Sequence, residues 1–242
     1  MPSTRILAIS SSRVGNSGYL ETASPVIQHF LGDKSLTIAF IPFASVDKNY
    51  EKYLSNVREG LSGLTCSIYL VEPGNAIASI EKADVIMVGG GNTFKLLHDI
   101  YDLRLMDLIR DKVSAGIPYI GWSAGSNITG ATICTTNDMP IIQPESFKAF
   151  GFFPFQINPH YVNIQMEGHH GETRDQRLTE FIQLNPGLPV VALPEGTALL
   201  LDDGALRFTG DAIGALFNSD GNTGEPVREE IQQDTDLSFL LK

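Results

Sequence analysis

Ile117-Pro118-Tyr119-Ile120-Gly121-Trp122-Ser123-Ala124-Gly125 runs from a strand-like segment through a G-x-S-x-G turn into a helix start. A turn this tight leaves no room for side chains at the flanking positions, where only glycine fits at low cost. It lifts the Ser123 hydroxyl out of the chain and aims the next backbone N–H, that of Ala124, at any oxyanion forming nearby. Ser123 is therefore the candidate nucleophile, and a strand–turn–helix of this kind belongs at the carboxyl edge of a parallel sheet.

The flanking sequence agrees. Upstream, apolar β-prone runs at Ile6–Ser10, Leu36–Phe43, Thr65–Leu70, Val85–Val88 and Pro118–Gly121 alternate with helical patterns. The helical patterns cover Tyr19–Leu31 (with Pro25 an awkward member), Asp47–Leu61, Ala76–Lys82, Phe94–Tyr101 and Leu105–Ala115. This βαβ rhythm predicts an α/β fold: a mostly parallel sheet with helices on both faces. Downstream, the pattern is irregular over Ile133–Ile157. A helix is then expected over Thr173–Leu184, a strand over Val190–Leu193, and a hairpin from Leu199 through Asp202-Asp203-Gly204 into Leu206–Thr209. The polar tail Asp220–Gln233 reads as a surface loop or frayed edge.

Length and composition limit the function classes. With 242 residues and no linker, repeat or low-complexity tract, residues 1–242 are expected to form one domain. A hydrophobic content of 43% with 19% charged residues excludes intrinsic disorder. The formal net charge of -11 offers no basic surface to a nucleic acid. Ser114–Asn137 carries no charge, but its Gly, Ser, Thr, Asn and Pro content rules out a membrane span and points to a buried turn. Only Cys66 and Cys134 are present, too few for a disulfide framework, and Met1–Ile9 lacks the apolar region of a secretory signal, so a cytoplasmic location is expected.

A nucleophilic hydroxyl needs a general base and an orienting acid. His160 closes the extended segment Phe155-Gln156-Ile157-Asn158-Pro159-His160, whereas His29 and His98 fall in helical patterns and His169 and His170 in a polar loop. Two carboxylates compete for the acid. Glu195 follows the strand Val190–Leu193, and Asp138 stands closer to Ser123 in Thr136-Asn137-Asp138-Met139-Pro140. Val88-Gly89-Gly90-Gly91-Asn92-Thr93 breaks a strand into three glycines before a helix; it lacks both G-K-[ST] and the last glycine of G-x-G-x-x-G, which disfavours nucleotide binding. Its backbone N–H groups suit the second half of an oxyanion hole. No H-E-x-x-H occurs, which speaks against a zinc peptidase, and no metal or cofactor is expected.

The order Ser123, His160, Glu195 differs from the Ser, acid, His order of α/β-hydrolases, so the turn sits on another fold. Five motifs together resemble the peptidase E family of α-aspartyl dipeptidases, in a match running from about Phe40 to Gly196. They are Gly89–Phe94, Gly121–Asn127, Thr135–Pro140, Ile157–His160 and Gly171–Arg177. The resemblance implies a three-layer, flavodoxin-like sandwich of the class I glutamine amidotransferase-like type and a cytoplasmic serine peptidase. It also implies a Ser123-His160-Glu195 triad, an oxyanion hole from the amides of Gly91 and Ala124, and Arg174 as reader of the substrate's aspartate side chain. The expected partner is a small acidic dipeptide, with no nucleic acid or membrane, and the chain is expected to act as a monomer or homodimer. Ser126 departs from the alanine the family leads one to expect, and His170 from its lysine. Two alternatives remain: a cyanophycinase-like hydrolase of β-aspartyl-arginine, and a catalytically inactive binding module.

Overall fold

A computed structural model of the chain describes residues 3–164 and 171–242. Its larger sheet holds β1 (Ile6–Ile9), β2 (Thr37–Ile41), β3 (Ser67–Leu70), β4 (Val85–Val88) and β5 (Tyr119–Trp122), with β6 (Gln156–Pro159) and β7 (Val190–Leu193) set apart in a second sheet. The hairpin β8 (Ala198–Asp202) and β9 (Ala205–Thr209) closes the larger sheet, giving the order β3-β2-β4-β5-β1-β8-β9; its first five members are parallel, β8 is antiparallel to β1, and β9 is antiparallel to β8. The second sheet has the order β11-β10-β7-β6, built from β10 (Gly214–Ser219), β11 (Pro226–Ile231) and the parallel pair β6 and β7.

Alternation along each central strand divides its side chains between two cores. Leu7, Ile9, Ile38, Phe40, Val85, Met87, Ile120 and Trp122 pack beneath α1 (Ser24–Leu31) and α2 (Tyr50–Gly60). Ile6, Ala8, Ala39, Ile41, Ile86, Val88 and Tyr119 point the other way, toward α3 (Ala76–Glu81), α4 (Thr93–Asp102) and α5 (Met106–Ser114). Val191, Leu193 and Leu216 of the second sheet join that same cluster, so one apolar core links the two sheets. The far face of the second sheet is covered by α7 (Arg174–Leu184) through Leu178 and Ile182. The one-turn α6 (Ala124–Asn127) follows β5 and is wholly buried.

Several expected boundaries move for identifiable reasons. α1 starts at Ser24 rather than Tyr19, which places Pro25 in the first turn, where a missing N–H costs nothing. α2 starts after Asn49, whose side chain accepts from Lys52 N–H, and α7 after Thr173, which forms a reciprocal cap with Gln176. The tail differs most. Pro226–Ile231 within the expected loop is an edge strand paired to β10, and its Arg228, Glu229 and Glu230 are the charged residues that keep a sheet edge from pairing with another chain. The anticipated hairpin is present, with Asp203 and Gly204 both at positive φ (48° and 77°). No helix among the described residues is long and apolar enough to cross a membrane.

Candidate active site

Ser123 links β5 to α6 with φ 53° and ψ -113°, a backbone conformation that costs about 1–3 kcal/mol in a non-glycine residue. The surroundings hold it there. Its N–H donates to Ile9 O (3.1 Å), and its carbonyl accepts from Ser126 N–H (3.0 Å) and Asn127 N–H (2.8 Å). The two glycines of the motif are sterically required, since a Cβ on Gly121 would lie 2.3 Å from Gly125 O and one on Gly125 would lie 2.2 Å from Val88 O. The buried Tyr119 hydroxyl donates to Gly125 O (2.6 Å), tying the turn to the strand beneath it.

The candidate base and acid come from the neighbouring sheet. β6 and β7 are parallel with Pro159 opposite Leu193, so the residues just beyond them, His160 and Glu195, emerge side by side at the same edge. His160 also adopts a positive φ (53°). Its N–H donates to Ser10 Oγ (3.0 Å), and Ser10 in turn donates to Leu193 O (2.7 Å), which fixes the histidine backbone between β1 and β7. The imidazole then spans the gap, with Nε2 2.9 Å from Ser123 Oγ and Nδ1 3.0 Å from Glu195 Oε1. With Nδ1–H donated to the carboxylate, Nε2 is left to accept the serine proton. The His160 and Glu195 side chains are 41% and 49% exposed, so solvent screens the charge interaction of the pair and the contact chiefly orients the ring.

The competing acid lies elsewhere. Asp138 Oδ2 accepts from Thr93 N–H (2.7 Å) and Thr93 Oγ1 (2.6 Å) at the first turn of α4, and it pairs with no histidine among the described residues. Asp138→Ala is therefore expected to lower stability by about 1–2 kcal/mol through loss of these bonds, while turnover falls only a few-fold. Thermal unfolding and peptide hydrolysis measured on one preparation check this; a rate loss matching that of Glu195→Gln would contradict it. His29 and His98 lie on α1 and α4, and His98 Nδ1 faces Asp99 (3.0 Å). His169 and His170 fall outside the described residues.

Gly89-Gly90-Gly91 leaves β4 beside β5 and approaches the nucleophile closely. A Cβ on Gly90 would lie 2.9 Å from Ser123 Cβ, and Gly91, at φ 137°, faces Ala44 O so closely that a Cβ would come within 2.3 Å of it. Neither Gly91 N–H nor Ala124 N–H finds an acceptor among the described residues. The loop is braced from below: Trp122 Nε1 donates to Tyr19 Oη (3.0 Å) and Tyr53 Oη (3.2 Å), and Tyr53 donates to Gly90 O (3.0 Å). Burial pushes the Tyr53 hydroxyl well above its ordinary pKa, so it stays a donor throughout the working range. Ser10, Tyr19 and Tyr53 are supports that the sequence pattern does not single out, because each reaches the site only through tertiary contacts. Ser126, the departure from the family pattern, is fully buried with its Oγ unpaired.

Ser123 and His160 open into a cavity of about 330 Å³. Arg174 is not part of it. It lines a separate cavity of about 270 Å³ with Asn137, Asp138 and Asn158, and its guanidinium donates to Asn137 Oδ1. Asn137 Nδ2 in turn donates to Pro159 O (2.7 Å), so a single side chain separates Arg174 from the backbone that carries His160. Nearby carboxylates are engaged elsewhere, Asp175 with Arg228 (3.0 Å) and Glu172 with Arg177 (3.6 Å), and Arg174 forms no ion pair among the described residues. Burial, aided by the charge of Arg177, lowers the Arg174 pKa from its ordinary value.

The model of Peptidase family S51 matches residues 6–209. Peptidase E of Haemophilus influenzae is 50% identical over 201 residues, covering 82% of this chain and 92% of that protein. Peptidase E of Shewanella amazonensis is 47% identical over 238 residues, covering 98% of this chain and 99% of the relative. Among solved structures, a Listeria monocytogenes EGD-e protein described as a peptidase E shares the fold with a TM-score of 0.67 at 22% identity, over 87% of this chain and all of that one (100%). A peptidase from an acI-B1 Actinobacterium does so with a TM-score of 0.63 at 16% identity, over 98% and 97% of the two chains. With a family model that matches residues 6–209 and relatives 47–50% identical over 82–98% of its length, the chain belongs to Peptidase family S51.

Proposed function

We propose that this chain is a serine dipeptidase that hydrolyses the peptide bond after an N-terminal aspartate through an acyl-enzyme. The observation that carries this reading is the continuous chain of contacts from Ser123 Oγ through the His160 ring to Glu195, beside the unengaged amides of Gly91 and Ala124. Ser123 Oγ attacks the aspartyl carbonyl as His160 Nε2 takes its proton, and the carbonyl oxygen becomes an oxyanion held by the two amides. The C–N bond breaks as His160 returns that proton to the leaving amine. A water deprotonated by His160 then attacks the ester, releasing aspartate and restoring the Ser123 hydroxyl.

Arg174 is the proposed reader of the aspartate side chain. Among the described residues the partly buried Arg174 guanidinium has no carboxylate partner, which leaves room for a ligand to supply the anion, and a planar fork matches a carboxylate through two parallel hydrogen bonds. In a protein of net charge -11 such a local cation is needed to attract an acidic dipeptide at all. The same charge supports a small acidic substrate rather than a nucleic acid, and two free cysteines suit a reducing, cytoplasmic setting for a monomer or homodimer. The shared core beneath both sheets supports a single domain.

Two assays test the reading. The chain is expected to hydrolyse α-Asp-Leu and to leave β-Asp-Arg intact; the reverse preference would favour a cyanophycinase-like hydrolase, and turnover of neither would favour a binding module. Arg174→Ala is expected to lower kcat/KM for Asp-Leu by about 100-fold while changing that for Asn-Leu little, in line with loss of a charge-assisted pair. Equal losses on both substrates would remove Arg174 from recognition.

A further inference from the structure

Asn49, Lys52 and Asn56 recur at i, i+3 and i+7 along α2 and its cap, and that face lines the cavity into which Ser123 and His160 open. Lys52 is exposed, and its ammonium forms no hydrogen bond or ion pair among the described residues. The side-chain N–H groups of Asn49 and Asn56 are equally unengaged there; only the Asn49 oxygen is used, accepting from Lys52 N–H (3.3 Å). The cavity thus presents an ammonium and two side-chain amides whose N–H groups have no partner among the described residues. Its acid, Asp47, is turned to its own loop through Oδ1, which accepts from Ser45 Oγ (2.6 Å) and Asn49 N–H (3.1 Å). Those bonds, with Lys52 nearby, hold the Asp47 pKa below its ordinary value.

A dipeptide brings two carboxylates to such an enzyme, one on the aspartate side chain and one at the C-terminus of the departing residue. Arg174 lines a separate cavity and, on the proposed reading, is assigned to the first. Among Lys and Arg residues, Lys52 alone lines the cavity of the nucleophile. We propose that Lys52, flanked by Asn49 and Asn56, binds the C-terminal carboxylate of the substrate and so restricts cleavage to dipeptides. This rests on the aspartyl dipeptidase reading and deepens it. A longer peptide has a neutral amide at that position and its carboxylate one residue farther out, so it forfeits a charge-assisted bond.

The test compares kcat/KM for Asp-Leu and for Asp-Leu-amide, which differ only in the terminal charge. The native protein is expected to prefer the free acid by about tenfold or more, mainly through KM. In Lys52→Met the preference should fall to near unity by loss on Asp-Leu alone, and in Lys52→Arg it should persist. A merely structural role for Lys52 would depress both substrates together. Full preference retained in Lys52→Met, or no preference in a native protein that turns over Asp-Leu, would overturn the proposal. Failure of the native protein to cleave either substrate would instead sink the dipeptidase reading on which it rests.

Discussion

Ser123→Ala is expected to lower kcat for Asp-Leu by about five to six orders of magnitude while leaving a folded protein. The size follows from the role: without the hydroxyl no ester forms, and His160 is left to activate water with only the oxyanion donors in support. The fold should survive because the backbone strain at φ 53° is the same for alanine and serine, and the bonds that hold the turn are made by main-chain atoms. Kinetics with Asp-Leu and thermal unfolding together make the check. Near-native turnover in the variant would show that another group attacks.

Gly125→Ala should have the largest effect on stability, about 3–5 kcal/mol, or about 10 °C in Tm for a chain of this length. The added Cβ would lie 2.2 Å from Val88 O and 2.9 Å from Val88 C, both backbone atoms of a strand hydrogen-bonded on two sides. Neither can yield without moving β4 and the glycine loop that follows it. Calorimetry checks the shift, and an unchanged Tm would mean that the turn is looser than these contacts require.

The fold was legible wherever local chemistry and tertiary packing agree. The apolar runs of β1, β2, β4 and β5 are buried on both faces, so they announce parallel strands, and Gly121 and Gly125 announce the turn between β5 and α6 because no other residue fits there. The second sheet was not legible. β6 and β7 look like further members of the first sheet, and only their pairing with each other and with β10 sets them apart. β11 was hidden for a different reason, its charges being those of a protected edge and also those of a loop.

The site divides in the same way. Ser123 and His160 could be picked out because each follows a strand with backbone cues of its own, while Glu195 and Asp138 could not be ranked by sequence. Both carboxylates stand near apolar residues, and it is the register of β6 against β7 that sets Glu195, and not Asp138, beside His160. Arg174 could be named as a cation, yet its place in a cavity separate from that of Ser123 depends on how α7 packs. Lys52 gave no sign, since a lysine on an amphipathic helix looks the same whether it faces bulk water or a substrate.

That Ser123 is the nucleophile of a covalent intermediate, activated by His160, is tested most directly by a diphenyl phosphonate analogue of aspartate, which loses phenol as Ser123 Oγ bonds to phosphorus, with peptide mass mapping. The expected result is a single adduct on the peptide that carries Ser123, formed at a rate that collapses in His160→Ala. An adduct on a different residue, or an unmodified Ser123 in protein that the reagent has fully inactivated, would contradict it.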